Sequence, residues 1–189
     1  MASGTIYIFL GLIASGKSTL AQLFANTHHF PYYNTDRVRK ELAGLAPTER
    51  RPDESEQGIY TPEFTEKTYK AMLERAEQDL QQGAEGVVLD GSYSRLDDRK
   101  KVLVLTDALG TDALFILCTC SDQEVKRRLD LRAKDPKAVS DGRWDIFVKQ
   151  KVHFEFPDEL SPDQFLRLDT EADPEQLLNL LEHSIKNRT

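Results

Sequence analysis

Short apolar runs alternate along this chain with longer stretches in which apolar residues return every third or fourth position. Ile6 to Leu10, Gly86 to Asp90, Ala113 to Cys118 and Phe165 to Leu168 have strand length and are dominated by apolar residues, as strands covered on both faces are. Phe30 to Asn34 is a weaker, shorter strand candidate. Helical spacing fills the intervals. Lys17 to Asn26 is one such stretch, and Met72, Leu73, Ala76 and Leu80 behind Pro62 predict a helix from about Glu63 to Gln82. Ser92 to Leu105 and Glu124 to Lys134 are two more, and Leu177, Leu178, Leu181 and Ile185 make a stripe behind the cap Asp173 and Pro174. Gly83 and Gly110 precede the second and third strong strands and suit helix C-caps. This alternation predicts an α/β fold, a parallel sheet with helices on both faces. Pro47 to Gly58 and Asp135 to Gly142 are rich in charge, Pro and Gly without apolar periodicity, so they read as surface loops or mobile flaps.

At 189 residues the chain has the length of one domain, 1–189, with one hydrophobic core. Its charged residues number 25 basic and 32 acidic for a net −7, so nothing global draws it to DNA or anionic lipid. Any basic site must be local. The longest apolar stretch, Thr5 to Ala14, falls short of the ~18 residues that span a bilayer. Met1 to Thr5 lacks the Lys or Arg of a secretory signal. Cys118 and Cys120 are too close together to bond well and too few for a disulfide framework, which suits a reducing, cytoplasmic setting.

Chemistry enters at Gly11-Leu12-Ile13-Ala14-Ser15-Gly16-Lys17-Ser18, which fits G-x-x-x-x-G-K-[ST] between a strand and a helix. Glycines at both ends let the backbone turn tightly enough for successive N–H groups to converge on phosphate oxygens. The following helix adds its positive end. Lys17 would neutralise the β- and γ-phosphates, and the Ser18 hydroxyl would complete the shell of Mg²⁺, a hard ion that prefers oxygen. Mg-ATP is the expected ligand. A plain strand-to-helix turn with a solvated lysine is the bland alternative.

Asn34-Thr35-Asp36-Arg37-Val38-Arg39 opens the next helix, at the rim where acceptors enter such sheets. Asp36 could orient an acceptor hydroxyl and take its proton, and Arg39, three residues on and on the same face, could stabilise the charged transition state. They could equally be a helix-start acid and a solvated base. Val87-Val88-Leu89-Asp90 ends an apolar run in an acid, so Asp90 could serve the Mg²⁺ shell or the acceptor, unless Asp-Gly marks only a turn. Arg128 and Arg132 lie on one helix face and read as a lid, about residues 122–142, that closes over the triphosphate and excludes water. The alternative is a charged face in which they pair with Glu124 and Asp130.

Together these residues resemble the P-loop kinases with an AAA-type ATP-binding domain, the branch that includes polynucleotide 5′-hydroxyl kinases and zeta toxins. Gly11 to Thr19, Thr35 to Leu42, Leu89-Asp90-Gly91-Ser92-Tyr93 and Arg128-Leu129 with Arg132 carry the resemblance in the family's order. Lys40 to Leu45 and Ile59 to Glu63 are similar to the ATP-binding domain fused to aminoglycoside-phosphotransferase-like proteins. The resemblance implies a three-layer P-loop NTPase sandwich with a five-stranded parallel sheet of order 2-3-1-4-5 and a helical lid. It implies Gly11, Ala14, Ser15, Gly16, Lys17, Ser18 and Thr19 with Arg128 as nucleotide ligands, and Ser18 with Asp90 as magnesium ligands. Lys17, Asp36, Arg39, Asp90, Arg128 and Arg132 would be catalytic, and Arg99 matches an arginine found after the third strand. Gly91 and Ser92 depart from the Ala and Thr that many relatives carry.

Other constellations are weak. The two cysteines lack partners at zinc-finger spacing, and there is no G-x-S-x-G elbow. His28 and His29 suit interaction with a helix C-terminus, while Trp144, Phe147 and Phe154 read as core or lid-hinge packing rather than a base-stacking platform. The expectation is an ATP-dependent kinase acting on a hydroxyl of a small-molecule or nucleotide-like acceptor. Its rivals are a polynucleotide 5′-hydroxyl kinase and a nucleotide-binding regulatory module without transferase activity. The pattern is silent on oligomeric state.

Overall fold

A computed structural model describes residues 4–46, 58–134 and 143–188. Its sheet contains β1 (Thr5–Leu10), β2 (Tyr32–Asn34), β3 (Gly86–Asp90), β4 (Asp112–Thr119) and β5 (Phe165–Asp169), in the spatial order 2-3-1-4-5. Every pairing is parallel, so each connection must cross back over a sheet face, and helices make most of those crossings. In chain order they are α1 (Lys17–His28), α2 (Thr35–Leu42), α3 (Pro62–Gln81), α4 (Leu96–Leu109), α5 (Asp122–Ala133), α6 (Trp144–His153) and α7 (Pro174–Lys186), with a 3₁₀ turn at Gly58–Tyr60.

Alternate side chains of β1 feed two apolar layers. Ile6, Ile8 and Leu10 meet Val87 and Leu89 of β3, Met72, Ala76 and Leu80 of α3, and Val102 of α4. Phe9 points the other way, to Val88, Ile116, Leu20 and Phe24 of α1, and Leu177, Leu178 and Leu181 of α7. The helical stripes read from the sequence are therefore the faces that cover the sheet. Each such Leu is worth about 1.5–3 kcal/mol when fully buried. β2 is the weak candidate because it is an edge of only three residues with one neighbour.

Several boundaries differ from the sequence expectation, each for a local reason. α4 begins at Leu96 rather than Ser92, because Tyr93 takes a φ of +42°, which no helix admits. Helix α6 has no apolar stripe to announce it: Phe147 is buried, while Trp144, Val148 and Val152 face outward. Phe147 is thus core, Phe154 packs against the α3–α4 layer, and Trp144 is largely exposed. His29 closes α1 in the left-handed region, but His28 reaches across to Glu182 of α7 at 3.0 Å rather than serving its own helix end. The expected loops at 47–57 and 135–142 lie outside the described residues, and Gly58 opens the 3₁₀ turn. Among the described residues no helix is long and apolar enough to cross a membrane.

Parallel strands all end on one rim. The register places Asp90 beside Phe9 of β1 on one side and beside Asn34 of β2 on the other, so three strand ends and the loop after β1 converge there.

Candidate active site

The loop after β1 takes a shape that demands its glycines. Gly11 has a φ of +142°, and a Cβ there would lie 2.5 Å from the Cys118 carbonyl oxygen. Gly16 has a φ of +85°, and a Cβ would meet Thr170 Oγ1 at 2.8 Å and Arg128 Nη1 at 2.9 Å. Between them Ala14 also sits at positive φ, +59°, and the Ser15 amide turns inward to the Leu12 carbonyl at 3.2 Å. The amides of Lys17, Ser18 and Thr19 open α1 and have no carbonyl within the helix to bond. Lys17 folds back along the loop, its Nζ 3.3 Å from the Leu12 carbonyl. Converging N–H groups, a helix N-terminus and an ammonium group form a cradle for an anion.

Across the rim, Asp90 is fully buried at the end of β3. Its Oδ2 accepts hydrogen bonds from the Tyr32 hydroxyl at 2.7 Å and from Asn34 Nδ2 at 2.6 Å. Burial, then the neighbouring Asp90, push the Tyr32 phenol far above its ordinary range, so it stays a neutral donor. Asn34 serves twice, since its Oδ1 also caps α2 by accepting the Arg37 amide at 3.1 Å. Asp90 Oδ1 is buried without a partner among the described residues. An unsatisfied buried carboxylate oxygen is costly, and a cation offsets that cost. The Ser18 hydroxyl, in the first turn of α1, and Asp90 together offer the oxygen donors that suit Mg²⁺.

Asp36 lies in the first turn of α2 and Arg39 one turn on, as their spacing predicts, but they hold each other: Arg39 Nη1 donates to Asp36 Oδ1 at 3.2 Å. Arg39 Nη2 reaches Thr65 Oγ1 at 3.4 Å, and its guanidinium stands 5.0 Å from the Tyr60 ring centroid. Asp36 keeps a quarter of its side chain exposed, whereas Arg39 is almost wholly buried. Near the same rim, Ser92 Oγ meets the Tyr69 hydroxyl at 3.1 Å, and Gly91 leaves no room for a Cβ, which would come within 2.7 Å of Thr35 Cγ2.

Helix α5 supplies the cations. Arg128 is tied down rather than held out as a mobile finger: Nε donates to Glu124 at 2.7 Å, Nη1 to the Ala14 carbonyl at 3.2 Å, and Nη2 to the Thr170 carbonyl at 2.6 Å. The charged-face alternative is thus realised in part at Glu124, yet the same guanidinium also grips the phosphate loop. Hydrogen bonds from Arg127 first, and from Arg128, hold the Glu124 carboxyl down at about 2. Arg132 is one turn further on and partly buried. Burial and Arg128 lower its pKa, while Asp36 and Asp90 oppose that shift, which places Arg132 in the field of both rim acids. A cavity of about 380 Å³ opens between the loop, α5 and the β5–α7 connection, lined by Gly16, Thr19, Arg128, Arg132, Thr170 and Ala172 among others.

Two contacts escape sequence reading. Thr170 Oγ1 donates to the Ser15 carbonyl at 2.5 Å, and Gln150 Oε1 of α6 accepts the Ile13 amide at 2.9 Å from 137 residues away. Neither residue stands in a motif, and only the chain's path brings them to the loop. Arg99 goes the other way. It is fully buried and braces the Tyr93 and Glu155 carbonyls and the Glu159 carboxylate, with no contact to the rim acids.

A sequence profile described as an AAA domain matches residues 6–157. Solved structures with the same fold include a sugar kinase from Janibacter sp. HTCC2649, at 17% identity and a TM-score of 0.67 over 97% of this chain and 95% of that one. A gluconokinase from Sinorhizobium meliloti 1021 superposes at 19% identity and a TM-score of 0.61, covering 97% and 94% of the two chains. A shikimate kinase from Aquifex aeolicus vf5 does so at 15% and 0.60, covering 97% and 96%. No curated protein sequence matches the chain.

Proposed function

The chain belongs to the AAA domain family, and on that premise we propose that it is an ATP-dependent kinase transferring the terminal phosphate to a hydroxyl of a small-molecule acceptor. One observation carries the reading. A partly exposed acid, Asp36, and a buried acid with an unsatisfied oxygen, Asp90, share the rim beside a phosphate cradle, with Arg132 in the field of both. A module that only senses nucleotide has no need of an accessible carboxylate there. The structural likeness to sugar, gluconate and shikimate kinases supports a hydroxyl-bearing small acceptor.

The residues divide the work by environment. The loop amides, the start of α1 and Lys17 bind the phosphate chain and fix its direction. Ser18 and Asp90 would hold Mg²⁺, which supplies charge neutralisation between the phosphates. Asp36 accepts the hydroxyl proton as the acceptor oxygen bonds to phosphorus and the bond to the ADP oxygen breaks. Its ion pair with Arg39 keeps the carboxylate aimed. Arg132 stabilises the charge that spreads over the transferred oxygens, and Arg128 keeps the loop in its binding shape through Ala14 and Thr170.

The test is a transfer screen with γ-labelled ATP over sugars, hydroxy acids, nucleosides, aminoglycosides and 5′-hydroxyl oligonucleotides, read by product mass. A phosphorylated small molecule formed by the wild type and not by Lys17→Ala is the expected result. Tight Mg-ATP binding with no product from any hydroxyl would overturn the proposal.

A further inference from the structure

We propose that Tyr32 is a positioning residue of the cation site: with Asn34 it closes one oxygen of Asp90, so that the carboxylate offers a divalent ion a single oxygen and the site favours Mg²⁺ over Ca²⁺. This deepens the kinase reading above and rests on it. The two oxygens of Asp90 differ in their surroundings. Oδ2 accepts the Tyr32 hydroxyl at 2.7 Å and Asn34 Nδ2 at 2.6 Å, while Oδ1 is buried without a partner among the described residues. A carboxylate oxygen has two lone-pair positions, and two donors fill both. Strand pairing enforces the arrangement. Asn34 lies beside Asp90 in the register of β2 with β3, and Tyr32, beside Val88 and two residues back on the same face, reaches forward with its longer side chain.

That face is also the one covered by α1. Asp90 is the register partner of Phe9 in β1, and Phe9 packs with Leu20 and Phe24 of α1, the helix whose first turn holds Ser18. Asp90 thus stands on the α1 side of the sheet, and its open oxygen is the one left for a cation held with Ser18. Mg²⁺ demands a tight octahedron and suits a carboxylate that gives one oxygen, whereas the larger Ca²⁺ takes about 6–8 oxygens and accepts both from one carboxylate. A carboxylate closed on one side therefore suits the smaller ion. Asn34 also caps α2 through the Arg37 amide, so changing it would disturb the helix that carries Asp36. Tyr32 allows a cleaner change. Its ring lies 5.8 Å from the Arg37 guanidinium, a contact that phenylalanine keeps, so Tyr32→Phe removes the hydroxyl and reopens one position on Oδ2.

The experiment uses the imido analogue of ATP, which is not turned over, with Mg²⁺ or Ca²⁺ in excess, and reads the affinity of each complex by calorimetry. Wild type should bind the Mg²⁺ complex more tightly. In Tyr32→Phe the Mg²⁺-to-Ca²⁺ affinity ratio should fall by about 10-fold, the worth of one added contact to a charged oxygen, with tighter Ca²⁺ binding carrying the change. A purely structural tyrosine would affect stability or both affinities alike. An unchanged ratio, or one that falls only through weaker Mg²⁺ binding, would therefore overturn the proposal, as would a wild type with no preference for Mg²⁺. Crystals of the wild type with the Ca²⁺ complex give a second reading that needs no variant: at most one Asp90 oxygen should lie within ~2.6 Å of the ion, and two would overturn the proposal. Failure of the wild type to bind the analogue with either cation would remove the kinase reading, and this inference with it.

Discussion

Asp90 and Asp36 are both acids on one rim, and their surroundings assign them different work. Among the described residues Asp90 has two donors on one oxygen and none on the other, in full burial. Asp90→Ala strands the Tyr32 hydroxyl and the Asn34 amide, so it should cost about 2 kcal/mol in a urea titration as well as the magnesium dependence of nucleotide binding. Asp36 is held by Arg39 and keeps a quarter of its side chain exposed. Asp36→Asn should therefore leave Mg-ATP affinity within about 2-fold by calorimetry, yet slow phosphoryl transfer by about 10²- to 10⁴-fold, the usual worth of a positioned base. Thr170 shows how an unremarkable residue acquires weight: its hydroxyl links the Ser15 carbonyl, the Arg128 guanidinium and β4. Thr170→Val should destabilise by about 1–3 kcal/mol by urea unfolding, and Thr170→Ser should recover most of that loss.

At the scale of elements, α5 is a latch. Its first turn holds Glu124, which gathers Arg127 and Arg128, and Arg128 in turn grips the loop and β5's end. Glu124 titrates near 2 when folded, below the 4.5 of an unperturbed glutamate, so its stabilisation is complete above about pH 4.5 and is lost as pH falls toward 2. The stability difference between wild type and Glu124→Gln should accordingly be constant at neutral pH and shrink across that acid window, read from urea midpoints at several pH values. The alternation of apolar runs and stripes made α1, α3, α5 and α7 legible, because each lays one apolar face on the sheet or the loop. Helix α6 was not legible, because its outward Trp144, Val148 and Val152 erase the contrast between faces.

For the molecule as a whole, the sheet order 2-3-1-4-5 puts the phosphate loop at the centre and β2 with its acid-bearing helix at one flank. A ligand held by so many separate elements must couple to global stability. Mg-ATP at 100 times its Kd should add about 2.7 kcal/mol and raise Tm by roughly 5–10 °C in a calorimetric scan, and Lys17→Ala should abolish the shift at the same concentration. The sequence by itself determined the strands, most helices and the glycine-rich loop after β1, and offered candidate acids and arginines to go with it, because spacing and periodicity are local and the loop's geometry needs particular residues in a row. Tertiary structure alone decided which of those residues touch: that Arg128 clamps the loop, that Arg99 braces a far corner, and that Thr170 and Gln150 reach Ser15 and Ile13. Such pairings depend on where distant segments pass one another as the core packs, and no short stretch of chain encodes that crossing.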